Sequence, residues 1–265
     1  MVRSLHSEQF NHHPGQLMMQ CGRGTFGLPT MGSWLNYGLG SVSENLPGYV
    51  VLNSGRGSSG GATLWQSGFL PSTYAGVLFR DQGEPVLNLS NPDGLPPELQ
   101  RAGLDTLRDS NQERYIVYAS WDHHSNLDAE LPYNATVVDQ PIAALIKDLK
   151  QRGLLDSTMV VWGSEFGRTP LGENRDGRKD VTGRDHHPFS FTALMAGGGI
   201  KGGQVYGKTD EIGWGIEENP VHINDFHATM LNQFGIDHEK LTHRFQGRDY
   251  RLTDVGGKVI KDWLV

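Results

Sequence analysis

One cysteine, Cys21, stands in the whole chain of 265 residues. An internal disulfide and a thiolate metal cluster are therefore excluded, and any metal has to be held by His, Asp and Glu. Positive charge is scarce as well: 23 Lys and Arg stand against 30 Asp and Glu, a net charge of -7, and no Lys/Arg block gathers anywhere. That pattern argues against a nucleic-acid footprint and against a polybasic membrane anchor. No apolar run approaches the roughly 18 residues that cross a bilayer, so no membrane span is expected. Residues 1–10 carry no apolar stretch of the signal-peptide kind, so the chain as given reads as cytoplasmic.

What is present suffices for a core. Apolar side chains make up 37% and aromatic ones 9%, which supports one globular domain over residues 1–265. Glycine is abundant, at 35 residues without a strict period, and signals many tight turns and long loops. Six of the eleven histidines come as adjacent pairs: His12 and His13, His123 and His124, His186 and His187. Each pair sits beside Asn, Asp or Pro in a loop-like setting. One such pair reads as surface polarity; three together point to a shared site.

Residues 1–111 read as loop-rich with short strands. Residues 48–52 (GYVVL) are strand-like, 55–61 (GRGSSGG) form a flexible loop without a phosphate-loop lysine, and 95–111 read as a polar helix. Over residues 115–265 strands and helices alternate with short links, which predicts a parallel α/β sheet. The strands are 116–119 (IVYA), 158–162 (TMVVW) and 189–196 (FSFTALMA). A helix is predicted from Pro141, with Ile142, Leu145, Ile146 and Leu149 on one face and Gly153 as its stop. A last helix opens at Asn224 or Asp225, with Phe226, Met230 and Phe234 in register, and ends at Gly235.

In an open α/β sheet, ligands bind beyond the carboxyl ends of the strands, so the residues just past each strand carry the argument. Past the first come Trp121, Asp122, His123 and His124. In extended backbone, i and i+2 share a side, so Asp122 and His124 can converge on one ion while His123 points aside. The alternative is an Asp capping a turn beside a surface His. Past the second strand, Glu165 between glycines looks like an exposed acid, and Arg168 could meet an oxyanion; a plain surface ion pair is the other reading. Before the third strand, Asp185 and His186 are donors suited to Zn²⁺, Mn²⁺ or Fe rather than Ca²⁺, with His187 as substitute should His186 turn away. Arg184 is a second candidate anion clamp. Near the start, a helix beginning at Asn11 and His12 would offer free N–H groups to an anion or metal, or Asn11 simply caps it.

Several segments together are similar to one bacterial family of exported proteins: 3–16 (RSLHSEQFNHHPGQ), 31–41 (MGSWLNYGLGS), 68–80 (GFLPSTYAGVLFR), and above all EFGRTP followed by GRDHHP. The family is labelled domain of unknown function 1501 and placed in the sulfatase and alkaline phosphatase-like superfamily. The resemblance implies a doubly wound, mostly parallel sheet with helices on both faces, a site for one or two divalent ions, and hydrolysis of phosphate or sulfate esters. It casts Asp122 and His124 as ligands of one metal, Glu165 as the strand-end acid of the other, and His186 as the later histidine. Residues 224–236 (NDFHATMLNQFGI) are similar to the superfamily's terminal helix. The sulfatase nucleophile precedes a Pro by two positions and a Thr-Gly by nine; counted back from Pro14 and from Cys21 and Gly22, that spacing lands on His12. The resemblance also implies a periplasmic or extracellular family. By the same comparison the chain begins inside the domain, without the upstream strand and its metal Asp, and is shortened before the WDHH segment.

A histidine cannot form the phosphoserine or sulfated formylglycine adduct of the superfamily, so His12 is expected to bind metal while a metal-activated water attacks, or the ester chemistry is lost. The expectation is therefore a metal-dependent hydrolase with Zn²⁺ as the first candidate ion and a small-molecule or carbohydrate ester as substrate, Arg168 and Arg184 holding the oxyanion. The alternative is a noncatalytic metal-binding scaffold of the same fold.

Overall fold

The computed structural model describes residues 1–41, 46–52, 58–79, 121–173 and 182–265. The expected helix 95–111 and strand 116–119 lie outside these residues, as do parts of the loops 55–61 and 172–184.

The central strand is one the sequence pattern passes over. β1 (Val2–His6) has only two aliphatic residues, Val2 and Leu5, yet a register shift between them lets Ser4 and Leu5 both turn inward, and all three are buried. It lies between β10 (Val221–His222) and β7 (Phe191–Ala196), and β4 (Val160–Trp162) closes the four-stranded sheet on the far side of β7. β1 and β10 are parallel, whereas β7 runs antiparallel to both β1 and β4. The described sheet is thus mixed. The reason lies between β4 and β7, where the described residues form no crossover helix. Instead β5 (Gly167–Glu173) and β6 (Gly183–His187) form an antiparallel hairpin. It brings the chain back to the end of the sheet it left, so the next strand has to run the other way. Residues following β1, residues following β4 and residues preceding β7 therefore gather at one edge.

α1 (His12–Cys21) follows β1 and buries Leu17, Met18 and Cys21. Asn11 is its N-cap residue but makes no side-chain cap hydrogen bond. α2 (Met31–Leu39) is capped by Thr30, whose hydroxyl accepts from the Ser33 N–H. α3 (Leu127–Gln151) is much longer than the segment expected from Pro141, and runs through both Pro132 and Pro141. The carbonyl that Pro141 leaves without its N–H partner is that of Val137, which is solvent-exposed, so water can take the bond. Among residues of α3 only Asn134 is buried, and Leu145 of the expected apolar face is exposed. α4 (Ile223–Gln233) begins one residue earlier than expected because the cap is His222: its Nδ1 accepts from the Asn224 N–H, and Asp225 accepts from the His222 N–H. Phe226 and Met230 enter the core with Leu5, Phe191, Val221, Ile223 and Trp263, while Phe234, past the helix end, is exposed. No described helix is long and apolar enough to cross a membrane.

Candidate metal centre

The shared edge of the sheet brings three chain segments together. His12 opens α1, Asp122 and His124 precede α3, and His186 sits on β6 opposite Arg168 of β5. Two glycines allow the approach. A Cβ on Gly15 would press at 3.2 Å on Glu165 and Phe166, so its absence lets α1 lie against the turn after β4. A Cβ on Gly183 would stand 2.0 Å from the His124 backbone, so only glycine can start β6 there.

Hydrogen bonding fixes how each imidazole presents itself. The partners of three Nδ1 atoms accept only, so each Nδ1 carries the proton: His12 donates to Glu165 Oε1 at 2.8 Å, His124 to Glu173 Oε2 at 2.5 Å, and His186 to the Phe10 carbonyl at 2.6 Å. In the neutral imidazole each Nε2 then keeps its lone pair. His124 Nε2 and His186 Nε2 face each other at 3.1 Å, and Asp122 Oδ1 lies 2.9 Å from the first and 3.1 Å from the second. His12 Nε2 lies 3.1 Å from Asp122 Oδ2 and, though buried, has no hydrogen-bond partner among the described residues. Lone pairs that converge in this way repel unless a proton or a cation sits among them. Phe166, buried beneath, packs on His186 at 4.4 Å and on His12 at 5.2 Å between ring centroids.

Among the described residues, two sets of three side chains have ligand atoms close enough to share an ion: His12, Asp122 and His186, and His124, Asp185 and His186. His186 belongs to both. Burial by itself would raise the Asp122 carboxyl, but the hydrogen bond from Arg168 and its charge outweigh it and hold the group well below the usual carboxylate range. Arg168 is a clamp within the protein: it donates to Asp122 Oδ1, to the Trp121 carbonyl and to the Arg184 carbonyl. Arg184 donates to the Gly183 carbonyl and lines, with His12, Asp122, Glu165 and Arg168, a cavity of about 850 Å³ beside the cluster.

Of the residues expected at the site, His12, Asp122, His124, Asp185 and His186 are brought together. Glu165 stands one shell back, behind His12, and is in neither set of three. The other member of each histidine pair turns away. His13 reaches Thr63, His123 is buried against Asn134, and His187 donates to the Trp214 carbonyl.

A family model described as "Protein of unknown function (DUF1501)" matches residues 1–118 and 115–264. The chain belongs to the DUF1501 family. No curated protein and no solved structure matches it.

In this DUF1501 chain the sequence reading missed three contributors to the site. Glu173 lies 49 positions from His124, and nothing but the β5–β6 pairing brings it close. The Phe10 carbonyl carries no side-chain signal at all. Phe166 sits within the EFGRTP segment, where a buried aromatic between Glu165 and Gly167 was a readable sign of a floor under the site.

Proposed function

We propose that this chain is a metal-dependent hydrolase of phosphate or sulfate esters on an alkaline phosphatase-like sheet, with the exported location of that class. The observation that carries the reading is the pair of Nε2 atoms of His124 and His186, 3.1 Å apart with both Nδ1 protons engaged elsewhere. Ligating histidines characteristically give their other ring nitrogen to a carboxylate or carbonyl in this way. The donors fit the group: imidazole with carboxylate suits Zn²⁺ first, with Mn²⁺ or Fe as further candidates, and because the two sets share the one free nitrogen of His186 they are alternatives for a single ion. A divalent ion bound there would polarise an ester oxygen and make a water nucleophilic near neutral pH.

The chain's own residues prepare the site. Glu165, Glu173 and the Phe10 carbonyl fix the tautomers of His12, His124 and His186. Arg168 keeps Asp122 ionised and aimed at the imidazoles. Arg184 is the cation placed on the cavity wall to meet an ester oxyanion. The parallel β1–β10 pair and the gathering of site residues at the sheet edge support the superfamily reading of the fold.

A noncatalytic metal-binding scaffold is the second reading, favoured by the engagement of Arg168 with three protein acceptors. Metal analysis of the purified chain, with a panel of aryl phosphate and sulfate esters, separates them. Bound zinc with turnover lost on chelation and restored by zinc is the expected result. Zinc without turnover would favour the scaffold, and no bound metal at all would end both.

A further inference from the structure

The cavity beside the histidines has a second wall of different chemistry. Trp121, Leu127, Leu131, Trp162 and Leu194 line it, and four of them stay open to solvent: Trp121 at 40%, Leu131 at 40%, Trp162 at 43% and Leu194 at 37% exposure. Large apolar side chains scattered singly over a surface need no explanation, but several gathered around one concave space facing a charged cluster mark a ligand site. They come from four places in the chain: the turn before α3, the first turns of α3, the end of β4, and β7. The hydroxyls lining the cavity are those of Ser58, Ser59, Ser164, Thr169 and Thr192.

The wall is tied to the polar cluster. Trp121 holds φ at +80°, a conformation that bulky residues avoid. One guanidinium nitrogen of Arg168 binds both the Trp121 carbonyl, at 3.1 Å, and the Asp122 carboxylate. The same side chain that sets the candidate metal ligand thus fixes the backbone of the neighbouring aromatic residue.

We infer that the cavity takes an anionic ester whose alcohol portion is a bulky, flat, apolar group, the anion meeting Arg184 and a metal held by the histidine cluster, and the apolar body lying along Trp121, Trp162 and Leu131. A sugar ring would also stack on tryptophan, but Leu127, Leu131 and Leu194 beside the tryptophans offer it no hydrogen bond, so an aromatic or polycyclic body is favoured over a carbohydrate. The inference rests on the hydrolase reading for the role of the anion and on the wall alone for the apolar body.

The test measures binding of the nonhydrolysable 1-naphthylphosphonate and of methylphosphonate to the full chain, with and without zinc, while zinc content is followed separately. The naphthyl compound should bind at least about tenfold more tightly. Trp162→Ala and Leu131→Ala, both at exposed positions, should each reduce that preference while zinc content stays at the wild-type level. If zinc binds but the two phosphonates bind alike, or the preference survives both truncations, the apolar wall is overturned and the metal reading stands. If no zinc binds and the naphthyl preference persists and falls with the truncations, the wall stands and the hydrolase reading fails. Failure of both phosphonates to bind overturns the inference.

Discussion

His227, inside α4, and the three histidines at the strand ends place an imidazole out of solvent in opposite ways. His227 is fully buried, donates from Nε2 to the Met19 carbonyl, and leaves Nδ1 without a partner among the described residues, and burial pushes its pKa down to about 4. His12, His124 and His186 each spend one nitrogen on an acceptor and aim the other at Asp122 or at one another. Burial alone therefore does not mark a ligand. What distinguishes the two regions is the direction of the second nitrogen, and the predictions below set them against each other.

The largest effect is expected on the core side. Phe226→Ala should cost about 3–5 kcal/mol in chemical denaturation, through the cavity left among Leu5, Phe191 and Trp263, while zinc affinity of the folded protein is unchanged. Acid comes next. The folded state holds His227 neutral down to about pH 4, whereas the unfolded chain protonates it near 6.5. Its contribution is therefore constant above pH 6.5 and turns unfavourable as the pH falls towards 4, reaching roughly 3 kcal/mol. Denaturation midpoints of wild type and His227→Gln should converge with falling pH through this window.

On the site side, His186→Ala should weaken zinc binding by about 100-fold or more, close to 3 kcal/mol, because His186 is common to both candidate ligand sets. Isothermal titration reads it directly. Glu173→Ala, which removes the acceptor behind His124, should weaken zinc binding by about 10- to 100-fold in the same titration. His13→Ala should change it by less than about twofold, since His13 faces Thr63 and Phe26; equal losses from His12→Ala and His13→Ala would erase the distinction between the members of the pair.

Much of this was legible in the sequence where periodicity or pairing was strong. The α4 register at Phe226 and Met230, the β4 and β7 strands, and the doubled histidines are local patterns. β1 was not legible, because two aliphatic residues in five look like a loop until β7 and β10 flank them. The direction of β7 depends on the β5–β6 hairpin, whose residues read as polar loop because Arg168, Glu173, Arg184 and His186 serve the site rather than a core. Pro141 suggested a helix start, yet it lies well inside α3, where solvent can satisfy the freed carbonyl. Glu165 was read as an exposed acid from its setting between glycines and as a ligand from the family resemblance; its contact with His12 Nδ1 puts it behind that ring.

The most direct test is zinc K-edge X-ray absorption on the zinc-loaded full chain. The account predicts a nitrogen and oxygen shell at about 2.0–2.2 Å with the outer-shell scattering of at least two imidazoles, diminished in His186→Ala. An all-oxygen shell without imidazole scattering, or a spectrum unchanged by His186→Ala, would contradict it.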